Sequence, residues 1–564
     1  MLLNPSKYSL QHEDQEFQDI ILKTIQFFET KGLQKVRDDD THRVWYADFL
    51  EFVKKEKIFA KLLTPPAYGK TGYRWDTWRI AHFNEILGFY GLAYWYTWQV
   101  SILGLGPIWM STNEALKQRA ASLLEAGEVF AFGLSEKDHG ADIYSTEMSL
   151  TPQKNGHYLA NGSKYYIGNG NTAKMVSTFG KMSDTGDYVV FVANYEHKKY
   201  DCVKNVVNSQ SYVAEYTLDD YPISEEDILH KGPEAWNAVL NTVNIGKYNL
   251  GWASIGMSTH AFYEALSHAS QRKLYNMYVT DFSHVKQMFV DGYTRLVAMK
   301  LVALRAADYM RVASSEDKRY LLYNPVVKMK VTTQGEAVVD LLWDVIAAKG
   351  FEKDTFFDMV TRDIRALPKL EGTVHVNIAL ILKFMASYFF RSTEYPVVEQ
   401  QSQAGNDDFL FNQGPTRGLG KIRFHDYKKV YKAVDLPNVK IFRKQIRLLK
   451  TLLMIARPDK DQSKDIDFLM ALGELFTLVV YGQLVLENAR IYAVEDDIID
   501  QIFDFMVRDF SRHALQLYSK SSATRTQMRL CSMMIKKPAV NRARFSRVWS
   551  DQIFPLKDAY TMQP

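Results

Sequence analysis

Residues 156–170, GHYLANGSKYYIGNG, decide how the chain is read. Short runs rich in Tyr and Ile flank Asn161-Gly162, two residues that tolerate φ > 0, so the stretch predicts a β-hairpin. DYVVFVANY (187–195) follows as a buried strand. On both sides the period is helical. DQEFQDIILKTIQFFETKG (14–32) and TNEALKQRAASLLEAGE (112–128) precede the strands. Residues 252–273, 282–310 and 326–350 return to helical spacing after them. The order helix, sheet, helix predicts a mostly α protein with an inserted β-domain.

The chain has 564 residues, too many for one core, and three or four domains are expected. The boundaries read as 1–126 (helical), 127–232 (β), 233–395 (helical) and 396–564 (a linker and extra helices). Residues 399–421, EQQSQAGNDDFLFNQGPTRGLGK, are polar and Gly-containing, and predict a mobile linker. Composition is that of a soluble globular protein, 47% hydrophobic and 24% charged, with a net charge of only +4. Aromatics at 13% favour large buried surfaces and suit a planar ligand. Two cysteines, Cys202 and Cys531, give neither a disulfide framework nor a thiolate metal site, and a reducing, cytoplasmic setting is expected. The first residues lack a basic-then-apolar leader pattern. The apolar run from Phe468 is interrupted by Glu474 and Gln483, which predicts a core helix rather than a membrane span.

The chain has no Gly-x-x-x-x-Gly-Lys, no His-x-x-x-His and no Cys-x-x-Cys, which argues against P-loop nucleotidases and zinc hydrolases. FAFGLSEKDHGAD (130–142) is a strand-like run breaking into a small polar turn, where backbone N–H groups and a hydroxyl can approach a ligand. LEGTVHVN (370–377) sets a lone carboxylate, Glu371, before an apolar helix, and Thr373 is placed to cap that helix.

Together with PPAYGKTGYRWDTWRIAHFNEILG (65–88), NGSKYYIGNG (161–170), SQRKLYN (270–276) and KGFEKDTFFDMVTRDIRALPKLEGTVHVN (349–377), these segments resemble the acyl-CoA dehydrogenase family of flavoproteins, in the family's order, over roughly residues 50–390. The resemblance implies a helical domain, a β-barrel-like domain and a four-helix bundle holding FAD, here with an extra C-terminal helical domain. It puts Phe132, Leu134 and Ser135 along the flavin ring and Tyr166, Ile167 and Gly168 on its other side. Arg272 and Tyr275 would reach the pyrophosphate from a neighbouring subunit of a homodimer or homotetramer. Asp344, Ala347, Ala348 and Gly350 fall near the adenosine end, and Thr373 and His375 follow the acid toward the cofactor. Glu371 matches the catalytic base, which takes the α-proton of an acyl-CoA thioester, here expected to be long-chain, as a β-hydride moves to the flavin. Ala141, Tyr248, Asn249 and Gly372 match substrate-facing positions. Tyr248 occupies the place where some relatives carry the base.

Several positions depart from the family pattern. Lys137 and Asp138 replace a Pro and a Gly, Ala141 replaces a Ser, and Gly168 replaces a Thr whose hydroxyl faces the flavin. The resemblance implies an electron-transfer flavoprotein as acceptor, with an acyl-CoA oxidase as the alternative. KIFRKQIRLLKTLLMIARP (440–458) reads as a basic amphipathic helix suited to a membrane surface or a partner helix. Residues 506–547 carry ten Lys or Arg against one acid, Asp509, and leave a flavin-containing nucleic-acid-binding protein as a third, less favoured reading.

Overall fold

In a computed structural model, residues 1–8, 14–405 and 407–564 are described. They form two compact units. The sheet unit holds Ser9–Asn249, Ser402–Arg417 and Met562–Pro564, and the bundle unit holds Met1–Tyr8, Leu250–Gln401 and Gly418–Thr561.

In the sheet unit, helices precede eight strands: β1 Phe130–Gly133, β2 Ser149–Pro152, β3 His157–Gly168, β4 Met175–Met182, β5 Tyr188–Ala193, β6 Tyr200–Asn205, β7 Val213–Ser224 and β8 Ile228–Lys231. The sheet is mixed, in the order β6-β7-β3-β2-β4-β5-β8, with β1 added parallel to β4. β6 and β8 are its two ends, so the path is open rather than the closed ring a barrel would need. Its core packs Met148, Leu150, Ile167, Val176, Phe191 and Tyr216.

The predicted hairpin at Asn161-Gly162 is not formed. β3 runs unbroken through both residues. The special backbone that the Asn-Gly pair signals goes instead to a β-bulge: Ala160 pairs Tyr221 but Gly162 pairs Leu218, so two residues of β7 face Asn161. Asn161 seals it, its Nδ2 donating to Asp220 Oδ1 and its Oδ1 accepting from Asp220 N. A second shift lies between Lys164 and Ile167, where β3 carries the extra residue. Tyr166 sits there at φ 65°.

Residues 402–417 are also not the free linker that their composition predicts. Asp407 Oδ2 accepts from Thr77 N at 2.5 Å, Gly405 N donates to Asp76 Oδ2, and Phe411 meets Trp75 edge to face. Polar composition here serves hydrogen bonding to the unit's own backbone. Asn406 lies outside the described residues.

In the bundle unit, long helices Asn249–Gln271, Ser283–Arg311, Thr332–Ile346 and Val374–Phe390 are joined by Pro437–Ile455, Ile466–Ile491, Asp496–Tyr518 and Arg525–Met534. Ile466–Ile491 is the one described helix long and apolar enough to cross a membrane, and most of it is buried in the bundle. The apolar stripe of Pro437–Ile455 is likewise consumed internally. Phe442, Ile446, Leu449 and Leu452 are buried, and Phe442 meets Phe503 and Phe510 of the Asp496–Tyr518 helix. The charged face, including Lys444 and Arg447, is left to solvent, together with Met454 and Ile455 at the last turn. The C-terminal arginines are largely paired as well. Arg544 binds Asp500 inside the bundle, Arg547 meets Asp497 at 2.6 Å, and Arg508 meets Asp291 at 2.7 Å. Part of the excess of cations over 506–547 is therefore balanced by acids of the bundle.

Candidate active site

The expected site residues fall into two groups, one on each unit. On the sheet unit, β1 ends at Gly133 and the chain turns through Leu134 and Ser135. Ser135 O accepts from Tyr165 N at 2.9 Å, which joins this turn to the second bulge of β3. Phe132 is buried, Leu134 and Ser135 are half-buried, and Tyr166 is 57% exposed. An exposed aromatic ring on left-handed backbone, beside a hydroxyl and a strand end, is a surface for a flat ligand. Ala141 is exposed further along the same loop.

One ion pair, which the sequence reading passed over, holds this loop. Lys164 is fully buried; its Nζ donates to Glu136 Oε1 at 2.7 Å, to Leu134 O at 3.1 Å and to Thr146 Oγ1 at 3.2 Å. Glu136 also accepts from Thr146 Oγ1 and from the backbone N–H groups of Glu147 and Met148. Burial pushes the Lys164 ammonium down to about 8, against the pull of Glu136. Removing one partner leaves a buried charge uncompensated, so Glu136→Ala is expected to cost about 3–5 kcal/mol in urea unfolding. A loss under 1 kcal/mol would show that the clamp does not order the loop. Lys164 could have been found from the sequence, because it stands four residues from Ala160 on the inward side of the strand.

Gly168 is explained by a neighbour. A Cβ there would lie 2.6 Å from Tyr96 Cε1 and 2.8 Å from Val100 Cγ1, both on the buried helix Leu92–Met110. The Tyr96 ring occupies the space a Thr side chain would take. Tyr248 and Asn249 are buried, and their side chains bond within the unit. Tyr248 Oη donates to Thr77 O at 3.2 Å and Asn249 Nδ2 to Gln99 Oε1 at 2.9 Å.

On the bundle unit, Arg272 precedes a hairpin of Lys273–Leu274 and Met277–Tyr278. Tyr275 and Asn276 form its two-residue loop, at φ 52° and 64°, and Tyr275 stands 90% exposed at the tip. Asp344, Ala347 and Ala348 are exposed at the end of Thr332–Ile346, and Gly350 is buried just beyond. Ala347 has φ 56° and ψ −136°, a region suited to glycine. Relief of that strain, of order 1–3 kcal/mol, outweighs the added chain entropy of glycine, about 0.5–1 kcal/mol. Ala347→Gly is thus expected to raise stability by about 1 kcal/mol, read as a higher urea midpoint; a lower midpoint would refute the assignment of strain.

Glu371 is half-buried in the turn before Val374–Phe390, at φ 51°, followed by Gly372 at φ 93°. Thr373 takes the N-cap position of that helix, yet its side chain makes no cap bond. Asn377 does the closing instead, its Nδ2 donating to Gly372 O at 2.9 Å and Thr373 O at 3.0 Å. Lys328, fully buried, donates to Pro368 O and to Gly372 O, both at 2.6 Å. A buried ammonium therefore grips the backbone on both sides of Glu371. Thr373 and His375 are exposed at the helix start.

Residues 234–386 match the model of the acyl-CoA dehydrogenase C-terminal domain. The whole chain superposes on the acyl-CoA dehydrogenase of Bacillus anthracis complexed with FAD, with a TM-score of 0.77 at 15% identity, covering 98% of this chain and 97% of that one. Residues 234–386 thus carry the acyl-CoA dehydrogenase C-terminal domain, and the chain has the fold of the acyl-CoA dehydrogenase superfamily. Its C-terminal helices extend beyond the usual core of that superfamily. It is also similar to an acyl-CoA dehydrogenase of Bacillus subtilis (strain 168), 24% identical over 293 residues, 50% of this chain and 75% of the relative. A 3-(aryl)acrylate reductase of Clostridium sporogenes is 22% identical over 381 residues, 65% of this chain and 97% of the relative.

Proposed function

We propose that this protein is an FAD-dependent acyl-CoA dehydrogenase in which Glu371 removes the α-proton of the thioester. The observation that carries the proposal is the Glu371 loop: a carboxylate on left-handed backbone, its flanking carbonyls fixed by a buried lysine. Such over-determined strain on a titratable residue is typical of a working position. The sheet-unit residues fit a flavin. Tyr166 offers an exposed ring, Ser135 a hydroxyl, and Leu134 the backbone at a strand end. The Bacillus anthracis protein of the same fold is complexed with FAD, which supports the choice of cofactor.

When bound, FAD supplies a hydride acceptor. The chain supplies the rest. The Glu371 carboxylate accepts the α-proton, and its backbone N–H donates to the thioester oxygen as negative charge develops there. Tyr166 covers the ring face, while Ile167, expected beside it, is packed in the sheet core, and Arg272 with Tyr275 would serve a second copy in a homo-oligomer. A long-chain acyl-CoA is the first substrate to try and an electron-transfer flavoprotein the first acceptor.

The test is an anaerobic titration of the purified protein with acyl-CoAs of several lengths, following flavin absorbance. Bleaching by at least one of them is expected. A colourless protein that cannot be reconstituted with FAD would refute the reading.

A further inference from the structure

The backbone that holds Glu371 is itself held by the C-terminal helices. Lys328 belongs to a π-helical turn, Val327–Val331, inserted between Tyr320–Val326 and Thr332–Ile346. Residues two apart on a helix point to nearly opposite sides. Here Lys328 points to the Glu371 loop and Lys330 points away from it. Lys330 is buried, and its Nζ lies 2.9 Å from Glu474 Oε2 on the Ile466–Ile491 helix. His513 Nε2, on Asp496–Tyr518, lies 3.6 Å from the same oxygen.

The residue before Glu474 grips the other flank of the loop. A Cβ on Gly473 would lie 2.3 Å from Cγ2 of Ile378, on the helix that follows Glu371, so the Ile378 side chain packs directly on the Gly473 backbone. Tyr388 of that helix also hydrogen-bonds Gln483, further along Ile466–Ile491. Adjacent residues, Gly473 and Glu474, thus reach both elements that flank the Glu371 turn.

We infer that the C-terminal helices set the position of the Glu371 carboxylate, with Lys328 and Lys330 as positioning residues on the two sides of one π-turn. The inference rests on the proposed role of Glu371. π-turns are rare and persist where contacts over-determine them. Without the Lys330–Glu474 pair the turn relaxes toward α-helix, where a shift of one residue rotates a side chain by about 100°. Lys328 then leaves the carbonyls of Pro368 and Gly372, and the loop loosens.

The test uses the full-length, FAD-loaded protein. Replacing both charges by apolar groups of similar size, Lys330→Met with Glu474→Met, keeps the packing while removing the link. Gly473→Ala disturbs the other contact independently and serves if the double variant does not fold. Either is expected to slow flavin bleaching at saturating acyl-CoA at least tenfold, with acyl-CoA affinity changed less than twofold. Amide exchange over residues 368–377 should quicken at least tenfold, while exchange in Leu92–Met110 stays unchanged. Lys328→Met should exceed both in its effect on exchange. Unchanged exchange over 368–377 in the folded variants overturns the inference, whatever the activity. If the wild-type flavin is not bleached by any acyl-CoA, the role of Glu371 falls instead, and the exchange measurement still decides whether the helices hold the loop.

Discussion

Glu371→Gln is expected to lower the rate of substrate-dependent flavin bleaching by about 10³–10⁴-fold, roughly 4–5 kcal/mol of barrier. The amide keeps the shape of the side chain and the hydrogen-bonding of the backbone, so FAD content and acyl-CoA affinity should hardly move. Lys328 and Asn377 hold the carbonyls of Pro368, Gly372 and Thr373, and these contacts to the backbone are available to the variant as well. Glu371→Asp withdraws the carboxylate by one methylene and should fall between the two, because proton transfer is sensitive to reach. A glutamine variant that bleaches within tenfold of wild type would remove Glu371 from the chemistry.

The second large effect concerns stability in acid. Glu487, buried in the Ile466–Ile491 helix, accepts from Arg305 Nε at 2.9 Å, Tyr309 Oη at 2.8 Å and Gln483 Nε2 at 2.7 Å, and lies 2.8 Å from His425 Nε2. Burial alone would raise its pKa, but the His425 and Arg305 contacts more than reverse this and hold the carboxyl well below its ordinary 4.5. It stays ionised in the fold while the unfolded chain takes up a proton. Its contribution is therefore complete above pH 4.5 and drains away as the pH falls further. His513 acts in the same direction at higher pH. Burial, with the Lys330 charge, pushes it down to about 4 from 6.5, so between those values the unfolded chain binds the extra proton. That amounts to about 3 kcal/mol lost on acidification. The urea midpoint should drop from pH 6.5 downward and more steeply below 4.5. His513→Gln should flatten the upper limb. Glu487→Leu should cost about 3–5 kcal/mol at pH 7, because it leaves Arg305 with Asp308 alone and takes the acceptor from Tyr309 and Gln483. A midpoint that is constant from pH 7 to pH 4 would contradict the whole account.

Much of this was legible in the sequence, and what was not has identifiable causes. The sequence period changes after residue 126 and returns at 233; β1 starts at Phe130 and a helix at Pro233. The strand that breaks into a turn after Gly133 was legible too, because small and polar residues after an apolar run are conspicuous. Asn161-Gly162 misled because a bulge and a turn ask for the same backbone freedom, and only the partner strand decides between them. Residues 402–417 misled because polarity marks a solvated loop and a hydrogen-bonded strap equally well. The stripe on Pro437–Ile455 gave the right amphipathic helix, but its covering helices lie later in the chain. Strand spacing marks Lys164 as inward but not its partners Glu136, Leu134 and Thr146, and Lys328 escaped because its carbonyl partners have no local signature. Tyr96 escaped because nothing local links it to Gly168.

The strap at 402–417 has a consequence for how the protein is made. Thr77 receives its Asp407 partner from 330 residues downstream. At a synthesis rate of about 5–20 residues per second, that gap lasts roughly 15–65 seconds. Through that interval the backbone at Thr77 and the ring of Trp75 wait without their covering segment, while the helices of residues 250–401 are already emerging. Nascent chains of this protein are thus expected to depend on chaperone holding until the strap arrives, and translation stalled before residue 407 should leave the first half sensitive to protease at the Trp75–Thr77 turn.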